Sequence, residues 1–127
     1  MMGTHHQYEN RYPKSFNIFE GEPRTNFKSE ESFEKINHYD NTVLYNDFII
    51  SEVIRKVDSI NKKSFVLYFS DHAEEMYSEL DMAGHNEDIY SKQMFDIPFV
   101  LWQSQKYRQE EELFFDSNRK YMIDDLF

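Results

Sequence analysis

The sequence has no cysteine among its 127 residues. This absence excludes a disulfide framework and any metal site built on thiolates. The sequence also has no apolar run approaching the roughly 18 residues that a membrane span requires, and no signal peptide is recognisable. We therefore expect this chain, as written, to have no means of export or anchoring and to stay in the cytoplasm when expressed.

Positive charge is scarce as well. The 24 acidic residues outnumber the 14 Lys and Arg residues, which gives a net charge of −10 at pH 7. Phosphate backbones would be repelled on average, so we expect no nucleic-acid partner. Aromatic residues, in contrast, are abundant at 17% of the chain, within a hydrophobic content of 39%. This composition suits one packed domain.

Glycine and proline are few and lie mostly in residues 1–38, which predicts a loop-rich segment. Further along, aliphatic residues recur at three- and four-residue spacing and predict a helix over 41–61, with Asp40 or Asn41 as its cap. Ser29, three residues before Ser32, has the spacing that can begin a helix earlier.

Two apolar runs, at 65–70 and 97–102, predict strands. Continuous apolar runs are typical of strands buried on both faces, and ligands gather beyond the carboxyl ends of such strands in α/β sheets. The first run ends abruptly in Ser70, Asp71 and His72, which would then lie at the rim of a site. Residues 39–127 thus predict a helix–strand–loop–strand–helix core within a single partial α/β domain.

The remaining segments are more polar. Their patterns predict a short helix at 73–80 and a polar loop at 81–93. They also predict a helix at 105–113 and an amphipathic terminal helix at 118–127. Both ends of the chain look cut, and two strands are too few for a stable sheet. We therefore expect a fragment of a larger α/β domain, or a chain that needs a partner.

Asp71 and His72 are the first candidates for chemistry, because carboxylate oxygen and imidazole nitrogen both suit Zn²⁺. Two ligands do not complete a site, and a capped turn after a strand is the alternative interpretation. Glu74 and Glu75 could serve as acid and base, although adjacent carboxylates more often mark a solvated helix start. The other histidines show no regular metal-ligand spacing; they are His5, His6, His38 and His85.

Five stretches together resemble one family. They are MGTH with RYPKSF, YDNTVLYNDFIISEVI, VLYFSDHAEE, NEDIYSKQMFDIPFVLW and RKY. In this order and spacing they resemble the bacterial phosphoethanolamine transferases of the alkaline-phosphatase and sulfatase superfamily. The details are most similar to the enzymes that modify heptose phosphate in the lipopolysaccharide core. The lipid A type usually carries cysteines where this chain has FEGEPRTNFKSE.

The resemblance implies a fold and a mechanism. The fold would be a partial alkaline-phosphatase-like three-layer α/β sandwich, of which this chain is the C-terminal fragment. Family members hold zinc through a Glu, a nucleophilic Thr and an Asp–His pair, which here is Asp71 and His72. The Thr attacks phosphatidylethanolamine, and the retained phosphoethanolamine then passes to a lipopolysaccharide sugar phosphate. His5 would lie near the transferred phosphate or a second metal, and His5 and His85 would bind substrate.

The chain departs from the family pattern in three places. Ala73 stands where Gly commonly follows the Asp–His pair, and the AGHNED setting of His85 does not match cleanly. The nucleophilic Thr and the ligand Glu lie upstream of Met1 in the family, since neither Thr4, Thr25 nor Thr42 has the nucleophile's context. We therefore expect no transferase activity from this chain alone. The complete enzyme would sit in the bacterial inner membrane with a periplasmic catalytic domain.

Two other functions remain open at this stage. A related sulfatase or phosphoglycerol transferase would share the Asp–His pair. A non-catalytic interaction module is the other alternative, in which the unpaired sheet edge binds a partner such as the missing upstream half.

Overall fold

The computed structural model describes residues 6–111, 113, 116 and 119–122. In it, a long helix packs beside a two-stranded sheet and a small hairpin. The elements are helix α1 (Glu30–Ser59), strands β1 (Phe65–Phe69), β2 (Glu75–Met76), β3 (Ala83–Gly84) and β4 (Phe99–Gln103), and helix α2 (Gln105–Glu110). Short 3₁₀ turns occur at Tyr8–Asn10, Lys14–Phe16 and Lys92–Phe95.

Helix α1 begins at the earlier of the two predicted starts. The Ser29 hydroxyl accepts from the backbone N–H of Ser32 at 3.0 Å, and the Ser32 hydroxyl accepts from that of Ser29 at 3.0 Å. This reciprocal pair satisfies two N–H groups at the helix end. The predicted start at residue 41 is therefore wrong, and the loop-rich part of the chain ends at residue 29.

Asn41, which the sequence suggested as a cap, is instead buried within α1. Its side-chain oxygen accepts from the backbone N–H groups of Ile18 and Phe19, both at 2.8 Å. The Thr42 hydroxyl contacts the backbone carbonyl of Tyr8 at 3.1 Å. These bonds hold the N-terminal segment along the helix and replace the water that its backbone would otherwise bind.

Strands β1 and β4 pair antiparallel, with Leu67 opposite Leu101. Helix α1 covers one face, where the Asn46 amide donates to the Tyr68 hydroxyl at 2.7 Å. On the other face Phe65 is 50% exposed and Leu67 is 38% exposed. The expectation of a strand buried on both faces is therefore not met within this chain. Pro98 precedes β4, as expected for a residue without a backbone donor at a strand entry.

The helix predicted at 73–80 is wrong, because β2 and β3 form a hairpin there. Glu75 lies opposite Gly84 and Met76 opposite Ala83. Tyr77 adopts a φ of 54°, a left-handed conformation that ends the strand, and its N–H donates to the Met82 carbonyl at 3.0 Å. The hairpin also interrupts the loop predicted at 81–93.

The last elements differ in length from their predictions. Helix α2 ends at Glu110 rather than 113, and Ser104 caps it by accepting from the N–H of Tyr107 at 3.2 Å. Of the helix predicted at 118–127, residues 119–122 are not helical. The rest of that prediction lies outside the described residues. None of the helices in the described part combines the length and the apolar character needed to cross a bilayer.

Candidate functional site

The candidate site begins in the turn that follows β1. The Ser70 hydroxyl donates to the backbone carbonyl of His72 at 2.7 Å, and the N–H of His72 donates to Asp71 Oδ1 at 3.1 Å. The backbone N–H of Asp71 itself, and then the neighbouring His72, lower the pKa of the Asp71 carboxyl. Asp71 is exposed and carries a carboxylate at neutral pH, the form that binds a metal ion.

His72 is oriented by its own loop. Its Nδ1 lies 3.1 Å from the carbonyl oxygen of Ala73. A carbonyl oxygen can only accept, so this contact favours the tautomer with the proton on Nδ1 and the lone pair on Nε2. Histidines that ligate metals commonly have this kind of backbone support. The turn therefore offers one carboxylate and one imidazole nitrogen as donors.

His85 lies beside His72. The centroids of the two imidazole rings are 4.5 Å apart, with 32° between the ring planes. His85 follows β3, so the β2–β3 hairpin is the element that brings it to the end of β1. The structure thus places together three of the four residues that the sequence singled out for the site, namely Asp71, His72 and His85.

His5 lies outside the described residues, but the next residue, His6, has a defined position. A Cβ atom added to Gly84 would lie 2.9 Å from Cε1 of the His6 ring. Gly84 has a φ of 113°, which side-chain-bearing residues rarely adopt. Gly84 therefore permits both the hairpin conformation and the approach of His6 to the residue that precedes His85.

Ala73 fits the turn without a glycine. Among the described residues other than glycine, positive φ angles occur at Gln7, Asn61 and Tyr77, and Ala73 is not one of them. The N–H of Ala73 donates to the carbonyl of the buried Met94 at 2.9 Å. A methyl group here causes no backbone strain, so this departure from the family pattern does not distort the turn.

Glu74 and Glu75 are buried rather than solvated, at 6% and 0% exposure. The sequence favoured a solvated helix start for this pair, which is wrong because the chain continues as a strand. Glu74 accepts a hydrogen bond from the hydroxyl of the buried Tyr8. Burial, followed by this bond, raises the pKa of Tyr8, so the hydroxyl keeps its proton. Through this hydrogen bond, Glu74 links the N-terminal segment to the Asp71–His72 turn.

Glu75 also has a structural role. Its Oε1 accepts from the backbone N–H groups of Ser78 and Glu79 in the hairpin. Burial raises the pKa of this carboxyl, but the Ser91 hydroxyl and the hairpin N–H groups outweigh it and leave the pKa lowered. A buried carboxylate with a lowered pKa is a poor general base, which argues against the acid–base role considered for Glu75. Glu74 is already hydrogen-bonded to Tyr8, which argues against the same role for Glu74.

The described threonines are bound to backbone groups. The Thr25 hydroxyl donates to the carbonyl of Tyr77 at 2.6 Å, and the Thr42 hydroxyl lies 2.9 Å from the carbonyl of His38. Neither lies in the Asp71–His72 turn, and Thr4 falls outside the described residues. Within the ranges that the structure describes, no group of three or more His, Asp and Glu side chains could hold a metal ion.

The sequence did not predict the Tyr8–Glu74 hydrogen bond or the His6–Gly84 contact. Each joins residues more than 60 positions apart, and no local pattern marks either partner. The abrupt end of the apolar run at Ser70, in contrast, correctly indicated where the polar turn begins.

Comparison with known proteins bears on this site. The sulfatase family model matches residues 1–127. The phosphoethanolamine transferase EptC of Escherichia coli strain K12 is 37% identical over 135 residues, covering 99% of this chain and 23% of the relative. The Kdo(2)-lipid A phosphoethanolamine 7''-transferase of the same strain is 34% identical over 105 residues, covering 83% of this chain and 18% of the relative. The chain therefore spans about a quarter or less of the length of these relatives.

A solved structure resembles the fold. The C-terminal periplasmic domain of E. coli EptC, in complex with Zn, matches with a TM-score of 0.78 and 38% identity, covering 84% of this chain and 31% of that chain. This likeness confirms the predicted partial α/β fold of the alkaline-phosphatase type.

Proposed function

The chain belongs to the sulfatase family, and we propose that it forms the C-terminal part of the catalytic domain of a zinc-dependent phosphoethanolamine transferase. The donor would be phosphatidylethanolamine and the acceptor a sugar phosphate of lipopolysaccharide. The complete enzyme would lie in the bacterial inner membrane with its catalytic domain in the periplasm. Both relatives described above are phosphoethanolamine transferases, which favours this activity over that of a sulfatase or phosphoglycerol transferase.

One observation carries the proposal. The turn after β1 presents the deprotonated Asp71 and the imidazole of His72, whose Nδ1 lies 3.1 Å from the Ala73 carbonyl oxygen, and the ring of His85 lies 4.5 Å from that imidazole. A carboxylate and an imidazole are both zinc donors, whereas a second imidazole beside them suits a phosphoryl oxygen. The alternative of a simple capped turn does not explain why His85, which follows β3, lies beside His72.

The donor set fits half of a zinc site. Asp71 and His72 would each supply one ligand, and by the family resemblance a Glu and the nucleophilic Thr would complete the tetrahedral set from the upstream part. Zinc bound there would lower the pKa of the threonine hydroxyl and neutralise charge on the phosphoryl oxygens. A related solved structure is a complex with Zn, which supports zinc as the metal.

His85 and His5 would act on the substrate. A ring N–H of His85 can donate to a phosphoryl oxygen, and such bonds strengthen as charge gathers on that oxygen in the transition state. His5 would do the same from the N-terminal segment, which His6 holds against Gly84. Both residues orient the phosphoethanolamine group while its bond to the leaving oxygen breaks.

The chain alone would be inactive. The hydroxyls of Thr25 and Thr42 are both engaged with backbone carbonyls outside the site, so neither can serve as the nucleophile. Zinc held by only two protein ligands would also bind weakly compared with a four-ligand site. The activity therefore depends on residues supplied by the upstream part of the domain.

A chimera tests the proposed function. In it, this chain replaces the matching stretch of E. coli EptC, and transfer from a fluorescent phosphatidylethanolamine is followed with and without a chelator. We expect zinc-dependent transfer that Asp71→Ala lowers by about 10²-fold or more, because removal of a zinc ligand removes transition-state stabilisation. The exposed Lys62→Gln should leave the rate unchanged.

Two results would count against the proposal. A chimera that folds, as shown by a cooperative melt, yet transfers nothing would contradict it and favour a non-catalytic interaction module. Transfer that persists at the same rate after Asp71→Ala and His72→Ala would contradict the assigned ligands.

A further inference from the structure

The Asp71–His72 turn is connected to distant parts of the chain through the two residues that follow it. The N–H of Ala73 donates to the carbonyl of Met94 at 2.9 Å. Glu74 accepts a hydrogen bond from the hydroxyl of Tyr8. Successive Cα atoms are only ~3.8 Å apart, so Glu74 cannot shift far without moving the turn that precedes it.

Helix α1 holds Tyr8 in place. The tyrosine is 1% exposed, and its ring packs edge-on against the ring of Tyr39, with the centroids 5.5 Å apart. The Thr42 hydroxyl contacts the carbonyl of Tyr8 at 3.1 Å, so α1 fixes both the ring and the backbone of this residue. A side chain locked in this way presents its hydroxyl at one place, which is what the support of a binding site requires.

The Tyr8 hydroxyl determines where the carboxyl group of Glu74 lies. Glu74 is 6% exposed, so its side chain has little access to water. A buried polar group that loses its partner bears the cost of desolvation, and that cost is relieved if the segment moves until the group reaches water. We therefore expect removal of the hydroxyl to displace the adjoining turn.

Tyr8 also belongs to the N-terminal segment that carries His6. The centroids of these two rings are 6.3 Å apart, and the carbonyl of His6 accepts from Nε and Nη2 of Arg11 at 3.2 and 3.0 Å. The His6 ring approaches Gly84, the residue before His85. Tyr8 thus connects the segment of the N-terminal histidines with the turn of the proposed zinc ligands.

The relative position of these parts matters for the proposed reaction. A misplacement of ~1 Å caused by a substitution far from the chemistry can lower a rate about 10²-fold. Metal ligands likewise depend on the residues that support them, whose replacement typically lowers metal affinity or activity about 10- to 100-fold. Tyr8 is bonded to Glu74, which is not one of the proposed ligands, so its effect on the reaction would be indirect.

We propose that Tyr8 is a positioning residue of the candidate site, because its hydrogen bond to Glu74 holds the Asp71–His72 turn in place relative to the N-terminal segment. The effect on phosphoethanolamine transfer rests on the proposed function, whereas the effect on the turn does not. A tyrosine that merely stabilised the fold would, when replaced by Phe, lower the Tm without changing the turn or the rate of the folded enzyme.

Amide hydrogen exchange of the ¹⁵N-labelled, zinc-free 127-residue chain tests the effect on the turn by NMR. The reporter is the amide of Ala73. The reference is the amide of Ser104, which donates to the carbonyl of Ser64 at 2.9 Å beside the β1–β4 pair. We expect Tyr8→Phe to accelerate exchange at Ala73 about tenfold or more relative to exchange at Ser104, because the turn loses its support.

Tyr68→Phe is the matched control, since it removes the same group from a tyrosine whose hydroxyl accepts from Asn46 on α1 at 2.7 Å. This variant should not accelerate Ala73 relative to Ser104. In the EptC chimera described above, well below the Tm of each variant, Tyr8→Phe should lower kcat about tenfold or more and leave KM within about twofold, because positioning acts in the transition state. Tyr68→Phe should leave kcat unchanged.

Three results would overturn the proposal. The first is exchange at Ala73 in Tyr8→Phe that matches the parent, and the second is equal acceleration at Ala73 and Ser104 in a variant that still gives a dispersed spectrum. The third is a chimera whose kcat Tyr8→Phe leaves unchanged, or lowers no more than Tyr68→Phe does. Should Tyr8→Phe unfold the isolated chain, the chimera decides, because there the rest of the domain supports the fold.

Failure of this proposal is distinguishable from failure of the proposed function. A chimera that stays fully active with Tyr8→Phe and loses activity with Asp71→Ala would reject the role of Tyr8 and leave the proposed function intact. A parent chimera without activity would contradict the proposed function, and hydrogen exchange would still decide whether Tyr8 holds the turn.

Discussion

At the scale of single residues, the candidate site depends on contacts between distant parts of the sequence. Tyr8 donates to Glu74, and His6 packs on Gly84, so the N-terminal segment is tied to the Asp71–His72 turn and to the hairpin that carries His85. The Glu74 carboxylate would be costly to bury without a donor. The Tyr8 hydroxyl meets that requirement and at the same time fixes the position of its own segment.

Gly84→Ala tests the contact with His6. We expect a loss of roughly 1–3 kcal/mol in the free energy of unfolding, because alanine combines an unfavourable φ of 113° with a Cβ 2.9 Å from the His6 ring. Urea denaturation measures this. Gly21→Ala is the matched control, since Gly21 also has a positive φ, 94°, but nothing lies within 4 Å of its added Cβ.

The steric part of this effect should be separable. His6→Ala should recover part of the loss in a Gly84→Ala background and little in a Gly21→Ala background. Equal losses for the two glycine variants, with no recovery from His6→Ala, would show that the His6–Gly84 contact does not exist in solution.

At the scale of elements, helix α1 is the scaffold on which the N-terminal segment and the sheet are positioned. Glu30 and Glu31 lie in its first turn, where their negative charges interact favourably with the positive end of the helix dipole. Lys56 lies in its last turn and interacts favourably with the negative end. Its buried Asn41 binds residues 18 and 19, and its Asn46 binds Tyr68 on β1.

Ser29→Ala tests the start of α1. Removal of the hydroxyl leaves the N–H of Ser32 without its partner, so we expect a loss of about 1 kcal/mol in stability and reduced helicity at 222 nm in circular dichroism. Ser51→Ala, a substitution within the same helix, should leave helicity equal or slightly higher. A Ser29→Ala variant indistinguishable from the parent would mean that α1 begins elsewhere, such as the predicted position 41.

The elements differ in how far the sequence could predict them. The Ser29–Ser32 spacing and the apolar runs of β1 and β4 are local signals, and each led to an element close to its observed position. The hairpin at Glu75–Gly84 was predicted as helix and loop, because adjacent glutamates resemble a helix start. Two sets of hydrogen bonds to these glutamates outweigh that local preference. Glu74 accepts from Tyr8, 66 residues away, and Glu75 accepts from N–H groups that are in position only once the hairpin has formed.

The same limit applies to the candidate site. Asp71 and His72 could be located because a strand ends visibly at Ser70. Their proximity to His85 depends on the β2–β3 hairpin, so residue spacing alone could not establish it. The family resemblance pointed to His85 without giving its surroundings, and its role in binding substrate stays a prediction.

At the scale of the whole molecule, this chain buries little apolar surface of its own. Among the described residues, four hydrophobic side chains are buried against seven polar or charged ones, so the interior relies on hydrogen bonds as much as on apolar packing. One face of the β1–β4 pair leaves Phe65 and Leu67 exposed. The chain covers 31% of the zinc-containing domain that it resembles. A partner such as the upstream part of the domain stays our prediction for the unpaired edge of the sheet.

The proposed function depends first on zinc binding by Asp71 and His72. A thermal melt of the purified, tag-free chain, followed by circular dichroism with and without excess zinc, measures this binding. Zinc that binds only the folded state adds about 2.7 kcal/mol of stability at 100 times its dissociation constant, which is a rise of several degrees in Tm. We expect that rise in the parent chain and in Asp58→Ala, and we expect none in Asp71→Ala/His72→Ala. A cooperative melt with the same Tm in the presence and absence of zinc would contradict zinc binding by these residues. An equal rise in the Tm of the double variant would contradict it as well.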